Sequence, residues 1–162
     1  MEIVPTREDD WESLKKIRLE SLRDSPDAFG ITYGEANSLN QDQWQLIASE
    51  ESSVKFLIAR CGGCAIGLIG GVYANGECEL TSMWVSPASR RSNVGSRLVE
   101  ALLDHALSEG CGRVTLKVSD NNKPAFKLYL KMGFEFAGEA GVLKGNKTIK
   151  LKNMVWHAAS RP

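Results

Sequence analysis

The stretch from Val54 to Val85 contains three β-rich runs, Val54 to Ala59, Ala65 to Tyr73 and Cys78 to Val85. Gly62-Gly63 and Asn75-Gly76 separate them. Both dipeptides tolerate positive φ, so each joins its neighbours by a tight turn. The result is an antiparallel meander. The third strand runs into Ser86-Pro87, and a long amphipathic helix follows from Val94 to Glu109. Val94, Leu98, Ala101 and Leu102 form its apolar stripe, widened by Val99, Leu103 and Ala106, while Arg97, Glu100 and Asp104 face away. Gly110 ends it as a C-cap residue, and Val114 to Val118 reads as a strand. A strand–helix–strand unit from Cys78 to Val118 implies a right-handed crossover between parallel strands.

The remaining elements extend this frame. Ile3-Val4 opens a short strand. Trp11, Leu14, Ile17 (or Arg18) and Leu22 fall at helical spacing between Asp9 and Arg23. Ser25-Pro26 stops that helix, because a residue before proline avoids helical geometry. Asn40 to Glu50 reads as a second helix carrying Trp44, Leu46 and Ile47. Asn122 caps a last helix, with Pro124 acceptable in its first turn and Ala125, Leu128, Tyr129 and Met132 on its core face. Gly133 ends it. Phe134 to Glu139 and Thr148 to Val155 are two closing strands. The order β-α-α-β-β-β-α-β-α-β-β predicts an α/β sandwich around a mixed, mostly antiparallel sheet, with residues 1–162 as one domain.

Composition narrows the function classes. The 162 residues are 43% hydrophobic and 25% charged, the balance of an ordinary globular chain. Twenty basic residues match twenty acidic ones, so net charge makes no case for nucleic acid or membrane as a partner. Residues 1–60 hold 12 acidic and 7 basic side chains, and residues 61–162 hold 8 and 13. An acidic front and a basic back suit two ligands of opposite charge. Cys61-Gly62-Gly63-Cys64 has the spacing of a metal knuckle but lacks a second pair, so the four cysteines read as free thiols and no metal is expected. The acidic N-terminus has no apolar signal core, and the charge-free stretch from Cys61 to Gly76 carries six glycines, too broken for a membrane span. The expected location is the reducing cytoplasm.

The segment from Val85 to Ser96 is a strand end, a basic loop and a helix start. Free amides at a helix N-terminus carry partial positive charge and cradle anions. Arg90 and Arg91 add full charges, and Gly95 removes a side chain where a ligand would approach. A pyrophosphate suits this pattern; a solvated, capped loop is the plain alternative. Neither G-x-x-x-x-G-K-[ST] nor G-x-G-x-x-G occurs.

Arg90-x-x-Asn93-x-Gly95 resembles the [QR]-x-x-G-x-[GA] motif of the GNAT superfamily of acyl-CoA-dependent N-acetyltransferases. Asn93 stands where that family usually has glycine, and asparagine is among the residues best able to adopt glycine's left-handed backbone. Downstream, Asn122-x-x-Ala125-x-x-Leu128-Tyr129-x-x-x-Gly133-Phe134 is similar to the family's N-x-x-A-x-x-L-Y-x-x-x-G-F half-motif. The front-end run RLESLRDSPDAFGITYGE resembles a pattern common among small bacterial members.

The resemblance implies a GNAT-like sandwich whose sheet splays in the middle, between the strand ending near Val85 and the strand starting near Arg113. Acetyl-CoA would be the donor cosubstrate, with pantetheine lying in the gap like an added strand against backbone groups of Met83, Trp84 and Val85. The amides of Arg91, Ser92, Asn93, Val94, Gly95 and Ser96 would hold the pyrophosphate, with Arg90 contributing charge. Asn122, with Ala125 and Tyr129, would line the cofactor chain. Lys123, Lys127 or Lys131 would reach the ribose phosphate unless simply solvated. Family logic makes Tyr129 the acid at the leaving sulfur; the plain alternative is a core tyrosine. Glu79, Glu77 or water would take the proton of the acceptor amine. Phe29 and Tyr33, read as loop residues, would shape the acceptor pocket, while Trp11 and Trp44 pack in the core. The acidic front half would suit a cationic acceptor such as a polyamine, an aminoglycoside or a basic peptide end. The resemblance allows a homodimer. A non-catalytic acyl-CoA sensor or a partner-binding domain on the same fold are the rival readings.

Overall fold

The computed structural model describes residues 1–160. Seven strands form one sheet in the order β1-β2-β3-β4-β5-β7-β6. They are β1 (Glu2–Pro5), β2 (Val54–Cys61), β3 (Cys64–Ala74), β4 (Glu77–Val85), β5 (Arg113–Ser119), β6 (Glu135–Leu143) and β7 (Asn146–His157). The helices are α1 (Trp11–Asp24), α2 (Tyr33–Asn37), α3 (Gln41–Ala48), α4 (Val94–Ser108) and α5 (Lys123–Lys131). The expected meander is present: β2 pairs β3 and β3 pairs β4, both antiparallel. Gly62 and Gly63 (φ +58° and +81°) and Asn75 and Gly76 (+54° and +74°) make the turns. Cys61 and Cys64 face each other across the first turn as exposed free thiols. The crossover is present too, since β4 and β5 are parallel.

The element order holds with one addition. Residues 33–37 form a short helix that the apolar pattern does not announce. Thr32 and Glu35 cap it reciprocally: Glu35 N donates to Thr32 Oγ1 at 3.1 Å and Thr32 N donates to Glu35 Oε2 at 2.8 Å. Tyr33 is therefore the first residue of α2, not a loop residue. The closing hairpin is longer than its hydrophobic runs suggest, and Phe134 is a buried link between α5 and β6 rather than strand.

The sheet separates two cores. On one face α4 and α5 cover Leu57, Ala59, Ile69, Val114, Leu116, Met154 and Trp156. On the other, α1, α2 and α3 cover Phe56, Ile58, Leu68 and Trp84. Alternate residues of β2 thus serve opposite cores, as a strand buried on both faces requires. α4 approaches β3 closely enough that a Cβ on Gly67 would lie 2.9 Å from Leu98 Cδ1 and 3.1 Å from the Trp84 carbonyl. The second neighbour is backbone and cannot swing aside. Gly67→Ala should therefore cost about 1–3 kcal/mol by overpacking, read as a lower urea midpoint with an unchanged slope.

Candidate active site

The feature that makes a site is the brevity of the β4–β5 pairing. Only Glu77, Cys78 and Glu79 pair with Arg113, Val114 and Thr115. Beyond Glu79 the two strands diverge, while β5 stays paired to β7 as far as Ser119 and β4 stays paired to β3 as far as Val85. The edges of β4 and β5 that face each other there have no strand partner. Unpaired edges recruit an extended chain. The register of β3 on β4 also slips between Leu68 and Gly70, opposite Ser82, whose φ is +58°. This bulge bends β4 away from β5 where the gap opens. Nothing in the sequence marks it, because a glycine would be the ordinary signal and none is present.

At the open end of the gap the chain turns into α4. Asn93 adopts φ 64°, ψ 12°, the left-handed shape that asparagine was expected to supply in place of glycine. Arg91 is also left-handed, at φ 62°. Two such residues around Ser92 turn successive amides to one side, the concave arrangement that binds anions. The Asn93 side chain makes no cap bond to α4. The amides of its first turn therefore keep their donors for solvent or a ligand. Val94 buries its side chain in the core, so only its backbone can serve.

Two expectations about this loop need correction. Arg90 does not offer a free charge. Its Nη2 donates to Asp24 Oδ2 at 2.6 Å and its Nε to the Val85 carbonyl at 2.9 Å. Arg90 thus ties the loop to α1 and to the end of β4. Gly95 clears space for neighbouring side chains of the protein itself. A Cβ there would meet Leu128 Cδ2 and Met83 Cε, each at 3.2 Å. Gly95 lets α4 sit close to β4 and α5.

Asp24 is a residue that sequence reasoning missed. Its Oδ2 accepts from Trp84 Nε1 at 2.9 Å, from Arg90 and from Ser25 Oγ at 2.9 Å. The Trp84 indole, with Arg90 and Ser25, holds its carboxyl below the usual aspartate range, against a smaller opposing effect of burial. One carboxylate therefore joins the end of α1, the end of β4 and the amide loop. These contacts span 60 and 66 residues, so no local pattern reveals them.

The second motif forms the other wall. Asn122 caps α5, its Oδ1 accepting from Ala125 N at 3.3 Å, which leaves its Nδ2 to donate elsewhere. Ala125 is partly buried, and Tyr129 is 6% exposed with its ring edge-on to Phe134 at 5.7 Å. Burial pushes the Tyr129 phenol well above its ordinary pKa, so it stays protonated through neutral pH. Lys123, Lys127 and Lys131 are exposed on the same helix.

Glu79 is exposed at the crotch of the splay, the last β4 residue paired to β5. Glu77 also faces solvent, but its Oε1 accepts from Arg113 Nη1 at 3.0 Å inside the paired region. A Cβ on Gly70 would lie 3.2 Å from Phe56 and 3.3 Å from Thr81, so Thr81 shares the face of α1, α2 and α3. Glu79, two residues earlier, shares that face by strand alternation. Phe29 and Tyr33 pack against the same core, with Arg18 stacked on the Phe29 ring at 4.8 Å and Arg23 on the Tyr33 ring at 5.0 Å. His105 is tied to Tyr73 at 2.8 Å, away from the gap. Trp44 is buried and Trp11 packs partly buried beside it. Among the described residues no cluster of three or more His, Cys, Asp or Glu could hold a metal, and no helix is long and apolar enough to cross a membrane.

A sheet splayed between a bulged strand and a crossover strand, with an amide cradle at one end, defines an acyltransferase-type α/β fold. The chain matches the Acetyltransferase (GNAT) family over residues 11–134 and belongs to it. It is 32% identical over 92 residues to the IAA acetyltransferase of Azospirillum brasilense, covering 54% of this chain and 59% of that protein. It is 29% identical over 96 residues to the thialysine N-epsilon-acetyltransferase of Sus scrofa, covering 49% and 56%. The chain thus spans little more than half the length of these relatives. Among solved structures it is similar to yncA from Salmonella typhimurium with its cofactor acetyl-CoA, at a TM-score of 0.80 and 16% identity, over 100% of this chain and 96% of that one.

The depressed pKa of Asp24 has a pH signature. A carboxylate held below its unfolded value stabilises the fold above that value, about 4, and the benefit is lost as pH falls through the folded value. Asp24→Asn should therefore be less stable than the natural chain near neutral pH, and the difference should shrink as pH drops from about 5 towards 3. Urea unfolding across that range measures it.

Proposed function

We propose that the protein is an acetyl-CoA-dependent N-acetyltransferase that moves an acetyl group directly to a primary amine of a small molecule or peptide. The observation that carries this reading is the gap between β4 and β5, which ends at the left-handed turn of Arg91 and Asn93. Its open strand edges suit an extended amide chain, and the turn's amides suit a pyrophosphate. These residues fit acetyl-CoA, which supplies the acetyl group as a thioester. Met83, Trp84 and Val85 would pair with the pantetheine arm. Arg91, Ser92, Asn93, Val94, Gly95 and Ser96 would offer backbone amides to the phosphates, and Arg90, bound to Asp24, would hold the loop in register. Asn122 Nδ2 and the surface of Ala125 would orient the chain.

Two protons need managing. The attacking amine must lose one, and Glu79, at the crotch of the splay on the acceptor side, is the group proposed to take it. The leaving sulfur must gain one, and Tyr129, kept protonated by burial, is proposed to donate it. A sensor of acyl-CoA on this fold would need no such donor, which favours the enzyme. Phe29 and Tyr33 would border the acceptor. Residues 1–162 would work as one domain, without metal, in the cytoplasm.

Binding is tested by heat. Acetyl-CoA at about 100 times its dissociation constant should add about 2.7 kcal/mol of stability; no thermal shift at millimolar concentration would refute the reading.

Turnover is tested with a panel of primary amines, followed by release of free thiol. Tyr129→Phe should lower turnover by about 10²–10⁴-fold while leaving the acetyl-CoA shift nearly intact. Equal losses of stability and binding would make Tyr129 a core residue only. Glu79→Gln should be slowest at low pH, where the acceptor is mostly protonated, and should recover as pH rises. A natural rate at every pH would remove Glu79 from the mechanism.

A further inference from the structure

Arg18 carries a charge that meets no carboxylate in an ion pair among the described residues. It sits on the stripe of α1 that faces the sheet, between Leu14 and Leu22, one turn from each and beside Ile17; Leu14, Ile17 and Leu22 are buried to within 1%. Its Nη1 is shielded from solvent and has no hydrogen-bond partner. Burial lowers its pKa to about 10, the mark of a cation taken out of water without a compensating anion. The guanidinium carbon lies over the face of the Phe29 ring, 4.8 Å from its centre. A ring face attracts the charge but cannot accept the in-plane N–H donors. Arg18 as a whole is only partly buried, but folded proteins pair the shielded parts of their charges, and a ligand is one way to satisfy such a donor.

The position of Arg18 says which ligand. Its helix stripe and Phe29 belong to the core on the Glu79 and Thr81 face of the sheet, not the face of α4 and α5. Phe29, on which it stacks, lies in the segment that joins α1 to α2, and Tyr33 opens α2; the two are the proposed border of the acceptor. Some acidic side chains of the front half lie elsewhere. Glu8, Asp42, Glu50 and Glu51 line a separate cavity of about 580 Å³ beside α3 and the segment after β1. Arg18 thus adds a positive charge to the face that also carries the Glu79 carboxylate, although the first 60 residues are acidic overall.

We infer that Arg18 binds a carboxylate of the acceptor, so that the natural acceptor is an amine that also bears a carboxylate, of amino-acid type, rather than a polyamine. The inference rests on the acyl-acceptor reading of this face. A planar guanidinium matches a carboxylate through two parallel N–H donors, and such a pair is favoured where water is excluded. Arg18 would be a binding residue that fixes where the amine lies, and takes no part in proton transfer.

The test compares ligands that differ only at the carboxyl group. A panel of amino acids and their carboxamides is offered with acetyl-CoA, and their N-acetyl derivatives are offered without it in thermal-shift assays. The carboxylate members should be better substrates or stronger stabilisers than their carboxamides by about 10–100-fold in kcat/KM or affinity, the range expected for hydrogen bonds to a charged group. Arg18→Met should erase that preference, leave the acetyl-CoA thermal shift unchanged, and melt at the same temperature or higher, since it removes a partly buried charge that has no ion-pair partner. Arg18→Lys should keep a reduced preference. The inference is overturned if no pair in the panel favours its carboxylate in either assay. It is also overturned if Arg18→Met weakens carboxylate and carboxamide alike, abolishes the acetyl-CoA shift, or melts several degrees lower; these outcomes would mark a cosubstrate contact or a structural stack on Phe29. Failure of the acetyltransferase reading shows separately, as a natural chain that acetyl-CoA does not stabilise.

Discussion

Everything that distinguishes this molecule from a plain covered sheet depends on a ladder that stops after three residues. Parallel β4 and β5 exchange hydrogen bonds only around Glu77 to Glu79 and Arg113 to Thr115. Leaving strand edges unpaired is costly in an interior and hazardous at a surface. The fold holds them open by force from both sides. On one side the Ser82 bulge and the β3 register bend β4. On the other, the β7 ladder holds β5 along its whole length. α4 then leaves the end of β4 and returns to the start of β5, so its N-terminus stands at the mouth of the gap and cannot drift far from it.

That geometry would be loose without Asp24. Its single carboxylate gathers Trp84 from β4 and Arg90 from the loop onto the end of α1. Arg90 in turn closes on the Val85 carbonyl. The Arg90 and Asp24 charges beside the turn are thereby engaged with each other, and the proposed recognition of phosphate would fall to backbone amides. Such an arrangement favours precision over attraction, because a fixed dipole is already aimed whereas a free arginine must be ordered on binding. Arg91, exposed and left-handed, is the side chain left to add charge at this turn.

The layout of the sheet is legible in the chain because each strand boundary carries its own local mark: two glycine-containing turns, a Ser-Pro stop, an asparagine cap. The cradle is legible for a similar reason, since the spacing of Arg90, Asn93 and Gly95 reports backbone shape, and Asn93 takes the left-handed form. The reasons attached to single side chains fared less well. Gly95 faces Met83 and Leu128, and Arg90 faces Asp24. Both depend on which distant element arrives next to them, and composition is silent about that. α2 is a different case. Its Thr32-x-x-Glu35 box is a local signal that five residues of weak hydrophobic pattern concealed. The Ser82 bulge had no signal at all, because a polar residue in a strand reads as an exposed one, and Ser82 is buried.

The acid side of the proposed chemistry raises a question of driving force. A phenol pushed up by burial is a weaker acid than an ordinary thiol, whose pKa is about 8.5. Moving a proton from Tyr129 to a sulfur at that value would run uphill. Yet burial acts on sulfur as well. In the same core the Cys78 thiol is pushed up to about 11, chiefly by desolvation. A sulfur leaving beside Tyr129 would be desolvated by the same walls, and its affinity for a proton would rise with that of the phenol. What matters for transfer is the difference between the two, and shared burial shrinks it. Burial would thus keep Tyr129, the proposed donor, protonated at physiological pH, and a sulfur desolvated beside it would hold a proton more tightly than an exposed thiolate.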